Sequence, residues 1–114
     1  MELSSRQALL NEGCQKFKDL KIDVKTRMIS VGDKSVRLTP TTFRVVEEML
    51  LPKDNLLHRD EYFKKIYGSF PKNGDSHPLR AHISQLNNRL LKGFNIRIDM
   101  DEEHYYSLIQ KDAQ

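Results

Sequence analysis

The stretch SHPLRAHISQLNNRLL, residues 76–91, carries side chains whose types and spacing suit recognition by hydrogen bonding. Pro78 fits the first turn of a helix, and Leu79, Ile83, Leu86 and Leu90 then fall on one stripe at 100° per residue. The opposite side receives Arg80, Ala81, Ser84, Gln85, Asn87 and Asn88, with His82 and Arg89 on its flank. Arginine pairs bidentately with a guanine edge, and glutamine or asparagine with adenine. Small residues such as Ala81 and Ser84 let a helix backbone approach a groove and touch a thymine methyl. A helix whose polar side merely meets water has the same composition, so the face alone leaves both readings open.

Other chemistries find less support. His58, His77, His82 and His104 lack helical metal spacing, and the single cysteine, Cys14, cannot complete a zinc site. There is no glycine-rich phosphate loop and no nucleophile elbow. Asp99, Asp101, Glu102 and Glu103 miss the spacing of a calcium loop and read as a solvated hairpin tip. Cys14 reads as a structural or surface thiol. No catalytic group, metal or cofactor is expected, and the chain reads as a non-enzyme.

The elements that must position the polar face follow from length, composition and period. At 114 residues, 38% of them apolar and 31% charged, the chain is long enough for one cored domain and too short for two. One cysteine precludes an internal disulfide, and the sequence has neither a long apolar run nor a signal pattern. A cytoplasmic protein without membrane contact is the expectation. The net charge of +3 is uneven: residues 53–92 hold eight Lys and Arg against four Asp and Glu, residues 93–114 two against five. The middle of the chain suits a phosphate backbone and the tail resists one.

Residues 4 to about 15 suggest a short helix, interrupted by Gly13. LKIDV, RMISV and KSVRL alternate apolar and polar residues, with Gly32 and Asp33 as a turn, and predict a small antiparallel sheet. Leu20, Ile22, Val24, Met28, Val31, Val36 and Leu38 are its candidates for burial. In LTPTTFRVVEEMLLP the period becomes helical: Thr39 caps, Pro40 opens, Phe43, Val46, Met49 and Leu50 share a side, and Pro52 ends the helix. HRDEYFKKIYG is a second helix, acidic at its start and basic at its end, with Gly68 as stop and Phe63, Ile66 and Tyr67 toward the core. A loop leads to the stretch at residues 76–91, and two strands, around residues 95–98 and 105–109, close the chain as a hairpin. This is an α+β order, and three helices followed by a hairpin describe a winged helix-turn-helix.

Motif order makes the match more specific. LTPTTFRVVEEML, HRDEYFKKIYG, HISQLNNRL and YYSLI resemble the blocks LTxxEFxLLxxL, SRExLxxxVWG, HIxxLRxKL and GYxL of the OmpR/PhoB-type effector domain of bacterial response regulators. The resemblance runs over residues 17–109. It implies a winged-helix domain at residues 17–110, after an N-terminal helix or linker remnant at 1–16 and before a tail at 111–114. Several positions depart from the family pattern. Thr42 replaces the Glu after LTxx, His58 the capping Ser, and Tyr67 the Trp. Asn87 and Asn88 stand in the basic LRxKL block, and His77 stands where an Arg commonly opens the third helix. The tip of the wing is Asp99, Met100, Asp101, Glu102 and Glu103 in place of Arg and Gly, and Tyr105 replaces the Gly before Tyr.

What the resemblance implies is a transcription regulator that binds double-stranded DNA sequence-specifically, with the helix at residues 77–91 in the major groove. Arg80, Ser84, Gln85 and Asn88 would meet base edges and His82 and Arg89 phosphates, with His77 a further DNA-binding position and Thr41 a donor to phosphate. Thr39 and Thr42, beside Thr41, and Lys64, Lys65 and Lys72 are further candidates for phosphate. Ser69, Phe70, Pro71, Lys72, Asn73, Gly74 and Asp75 correspond to the loop that meets RNA polymerase. With few basic groups on the helix and an acidic tip, one copy would bind weakly, which predicts a homodimer on repeated half-sites. ELSSRQALL is similar to the end of a receiver domain, so the chain would be the effector part of a response regulator in a two-component system. A stand-alone regulator with its own N-terminal helix is the other organisation, and a winged-helix protein-interaction module that has lost DNA binding is the other function.

Overall fold

A computed structural model describes residues 5–110. The expected tail at 111–114 and the first residues of the receiver-like segment lie outside the described residues. In chain order the elements are α1 (Ser5–Cys14), β1 (Leu20–Asp23), β2 (Met28–Val31), β3 (Lys34–Arg37), α2 (Pro40–Leu50), β4 (Leu56–His58), α3 (Arg59–Tyr67), α4 (His77–Arg89), β5 (Ile96–Met100) and β6 (Tyr105–Gln110). Short 3-10 turns lie at Lys72–Gly74 and Leu91–Phe94. The architecture is α+β, with two three-stranded antiparallel sheets ordered β1-β2-β3 and β4-β6-β5 among the described residues. It is compatible with the winged-helix expectation. Among the described residues no helix is long and apolar enough to cross a membrane.

The three N-terminal strands form where alternation predicts them, and Gly32 supplies the positive φ of +59° that the β2–β3 turn requires. The register corrects the list of inward residues. Ile22, Ile29 and Val36 stand in one cross-strand row, and Ile29 is fully buried, whereas Met28 pairs with Asp23 and Arg37 on the other face and is only half-buried. Leu20, Ile22 and Leu38 are buried as expected, while Val24, Val31 and Val36 pack partly exposed at the rim.

Thr39 caps α2, its hydroxyl accepting the Thr42 N–H at 3.4 Å, and Pro40 occupies the first turn. Phe43, Val46, Met49 and Leu50 are buried, but so are Val45, Glu47 and Glu48, because α1 covers a further side of the helix. Arg6 of α1 makes this tolerable. Its guanidinium bonds the Glu47 carboxylate through Nε and that of Glu48 through Nη2 at 3.0 Å. Gly13 is no interruption of α1 but the point where that helix touches α2, since a Cβ there would overlap the Leu50 carbonyl oxygen. Gln7 ties α1 to the sheet edge, donating to Ile22 O at 2.8 Å and accepting the Val24 N–H at 2.9 Å. Cys14 is buried at this seam, and burial pushes its thiol up to about 11.

In α3 the dipole and C-cap signals hold: Asp60 and Glu61 lie in the first turn, Lys64 and Lys65 in the last, and Gly68 at φ +87° bonds back to Lys64 O at 2.7 Å. The core side differs from the expectation. Tyr62 is fully buried and donates its hydroxyl to Val45 O, Phe63 and Ile66 are half-buried, and Tyr67 is exposed. Strand β4, which the alternation reading does not identify, pairs with β6 through Leu57 opposite Tyr106 and makes the hairpin a three-stranded sheet.

Candidate nucleic-acid interface

Helix α4 is built to turn one side outward. Leu79, Ile83 and Leu86 are buried against the core, whereas His77, Arg80, Ser84, Gln85, Asn88 and Arg89 are exposed and Ala81 and His82 half-buried. The helix ends at Arg89 rather than at residue 91. Leu90 leaves the helical region, and a 3-10 turn carries Leu91 and Phe94 into the core. At 1.5 Å per residue the exposed stripe from His77 to Asn88 is roughly 17 Å long, enough to follow several base pairs of a major groove. Among the described residues, no protein hydrogen bond or ion pair engages the side chains of Arg80, Ser84, Gln85, Asn88 or Arg89. Their donors and acceptors face solvent.

The helix start is fixed without a side-chain cap from Ser76. Instead the Asp75 carboxylate accepts the His77 N–H at 3.0 Å, and the amides of Leu79 and Arg80 bond to Ser76 O. Asp75 therefore serves the helix, although it lies in the loop expected to meet polymerase. The rest of that loop is folded over itself: Asn73 and Gly74 take positive φ, and Asp75 N bonds Lys72 O at 3.0 Å. Phe70 stands 53% exposed, with Lys64 Nζ 4.7 Å from the centre of its ring. Ser69 and Lys72 are exposed, and Pro71 is half-buried.

Beside α4, His82 Nε2 lies 3.3 Å from Thr42 Oγ1, which in turn lies 3.0 Å from Thr39 Oγ1. This chain of polar side chains brings α4 to the N-terminus of α2, where Thr41 is exposed in the first turn. A helix N-terminus with adjacent hydroxyls and an imidazole suits an anionic oxygen. Burial raises the phenol of Tyr106, and the charges of Arg80 and Arg59 oppose that rise. Arg59, at the start of α3, is half-buried and lies beside the Asp60 carboxylate. Its Nε is buried 3.5 Å from Asp60 Oδ1 without completing a hydrogen bond.

Asn87 corrects the expected outer face. Its Nδ2 donates to Ile98 O and its Oδ1 accepts the Ile98 N–H, both at 2.9 Å. The donor and acceptor pair that a base would require is engaged by β5. The hairpin tip is acidic and internally ordered, since the Asp101 carboxylate accepts the amides of Glu103 and Tyr105 at 2.9 and 3.0 Å, and His104 sits at φ +69°. Asp99 pairs with Arg97, while Glu102 and Glu103 are exposed, a charge that phosphates would repel. Among the described residues no three His, Cys, Asp or Glu side chains converge as a metal site requires. A groove of about 1290 Å³ opens elsewhere, between α1 and the N-terminal sheet, and is lined by none of the expected reading residues.

No protein-family model matches the chain. Over 74 residues, 65% of its length, the chain is 31% identical to a Bacillus subtilis (strain 168) protein described as "Uncharacterized transcriptional regulatory protein YkoG". The matched segment covers 32% of that protein, so the chain spans about a third of the relative's length. The likeness is therefore to one part of a transcriptional regulatory protein.

Proposed function

We propose that this chain is a sequence-specific, double-stranded DNA-binding domain of a transcription regulator, a winged helix of the OmpR/PhoB type, with α4 in the major groove. The observation that carries the reading is the exposed stripe His77, Arg80, Ser84, Gln85 and Asn88, whose side chains make no protein hydrogen bonds among the described residues while the opposite stripe is buried. Arg80, Gln85 and Asn88 supply the bidentate pairings that distinguish guanine and adenine, and Ser84 the close approach. His82 of α4, Thr41 at the N-terminus of α2 and Arg89 on the flank of α4 serve phosphates. The likeness to a transcriptional regulatory protein supports the same reading. In this reading residues 17–110 are the DNA-binding unit, α1 is a helix docked onto it, and binding is by a dimer on repeated half-sites. The loop from Ser69 to Asp75, with Phe70 exposed, is the surface for polymerase, and a receiver precedes the chain in the full-length regulator.

The test is an in vitro selection of bound duplexes followed by a gel-shift titration. Arg80→Ala and Gln85→Ala are each expected to weaken the selected duplex by about 1–3 kcal/mol and to relax preference at one position. Unchanged affinity in both variants removes α4 as the reader. A protein-interaction module is favoured by one specific observation, the acidic tip at Asp101, Glu102 and Glu103. Salt separates the two readings, because a duplex binder loses roughly 0.9 log units of affinity per log of salt for each phosphate contacted.

A further inference from the structure

We propose that Asn87 is a positioning residue: by clamping β5 to α4 it fixes where the hairpin stands beside the reading face, and so contributes to duplex discrimination without touching DNA. The inference rests on the reading of α4 as the groove-facing helix.

Strand β5 is an edge of the sheet β4-β6-β5, and Ile98, its middle residue, faces Leu108 of β6. The two bonds from Asn87 take the amide and the carbonyl of Ile98 together, the pair that a further strand would take from that edge. A planar primary amide holding both groups fixes rotation as well as distance. Asn87 follows buried Leu86 and precedes exposed Asn88, so the clamp sits one residue from the reading stripe. From Ile98 the strand continues through Asp99 and Met100 into the tip that carries Glu102 and Glu103. Small rotations of β5 against α4 therefore translate into displacement of two free carboxylates relative to whatever lies along α4. Apolar packing of Ile96 and Ile98 holds the hairpin on the core but permits sliding. The hairpin is held directionally at its tip, where the Arg59 N–H donates to His104 O at 2.9 Å, and along β6 by β4; the Asn87 clamp is the directional contact that holds β5 itself to α4.

The experiment compares the wild type with Asn87→Leu, which breaks both bonds, and Asn87→Asp, which keeps the acceptor for the Ile98 amide and loses the donor. Each protein is measured for amide exchange at Ile98 and for affinity to a selected and a scrambled duplex, at a temperature where circular dichroism reports a folded chain. In Asn87→Leu the Ile98 amide is expected to exchange faster, and the selected-to-scrambled affinity ratio to fall about tenfold with scrambled affinity unchanged. Asn87→Asp is expected to fall between the two, and it keeps the test valid if Asn87→Leu does not fold. A ratio within about twofold of wild type while Ile98 exchanges faster overturns the proposal, as does unaltered exchange. A wild type that does not discriminate the duplexes overturns the reading of α4 itself, and is told apart because the failure precedes any substitution.

Discussion

Helices α1 and α4 both present polar residues, and they use them in opposite ways. On α1, Arg6 holds the carboxylates of Glu47 and Glu48, and Gln7 holds Ile22 O and Val24 N at the edge of β1. On α4, Arg80, Ser84, Gln85 and Asn88 bond to nothing in the described residues, while Asn87 and His82 are directed at the fold, at Ile98 and at Thr42. Gln7 and Asn87 are thus the same device, one side-chain amide taking an N–H and a carbonyl along the open edge of a sheet, beside β1 and on β5. The contrast teaches that polarity on a helix does not mark a binding face. What marks it is polarity that the protein's own backbone and charges leave unused.

The largest expected effect breaks the α1 side. Gly13→Val places a branched side chain against the Leu50 carbonyl and should cost about 3 kcal/mol or more of stability, read as a fall in the urea midpoint at unchanged slope. A midpoint equal to wild type means that α1 is not docked as described. Arg6→Met is smaller, because Arg6 is itself 43% exposed and screened by solvent. Leaving Glu47 and Glu48 buried without that cation should cost about 1–2 kcal/mol, and adding Glu47→Gln should recover part of it in a double-mutant cycle. Arg80→Ala and Gln85→Ala, by contrast, are expected to change stability by less than about 0.5 kcal/mol while weakening duplex binding.

Much of this division was legible in the residues, and the rest was hidden for physical reasons. Alternation located β1, β2 and β3, and the Thr39, Pro40 and Gly68 signals bounded α2 and α3, because those features are local. Strand β4 has three residues, too few for a period, and exists through pairing with β6 some fifty positions later. Tyr62 rather than Tyr67 lies inside because its hydroxyl finds Val45 O, an acceptor that no helical wheel contains. Met28 and Ile29 are both apolar, so only the register decides that Ile29 faces inward.

At the candidate site the outward set Arg80, Ser84, Gln85 and Asn88 follows directly from the 3.6-residue period. Asn87 did not, since it falls at the border of the buried stripe, and the partner that draws it inward is a backbone group eleven residues away. Gly13 likewise has the composition of a helix breaker and the role of a contact point.

The most direct measurement is an amide chemical-shift titration of the wild type with a selected duplex. The account predicts that His77, Arg80, Ser84, Gln85 and Asn88, with Thr41 at the start of α2, shift together and saturably, while Arg6, Gln7 and the groove beside α1 stay still. Shifts confined to α1 and the N-terminal sheet, with α4 silent, would contradict it.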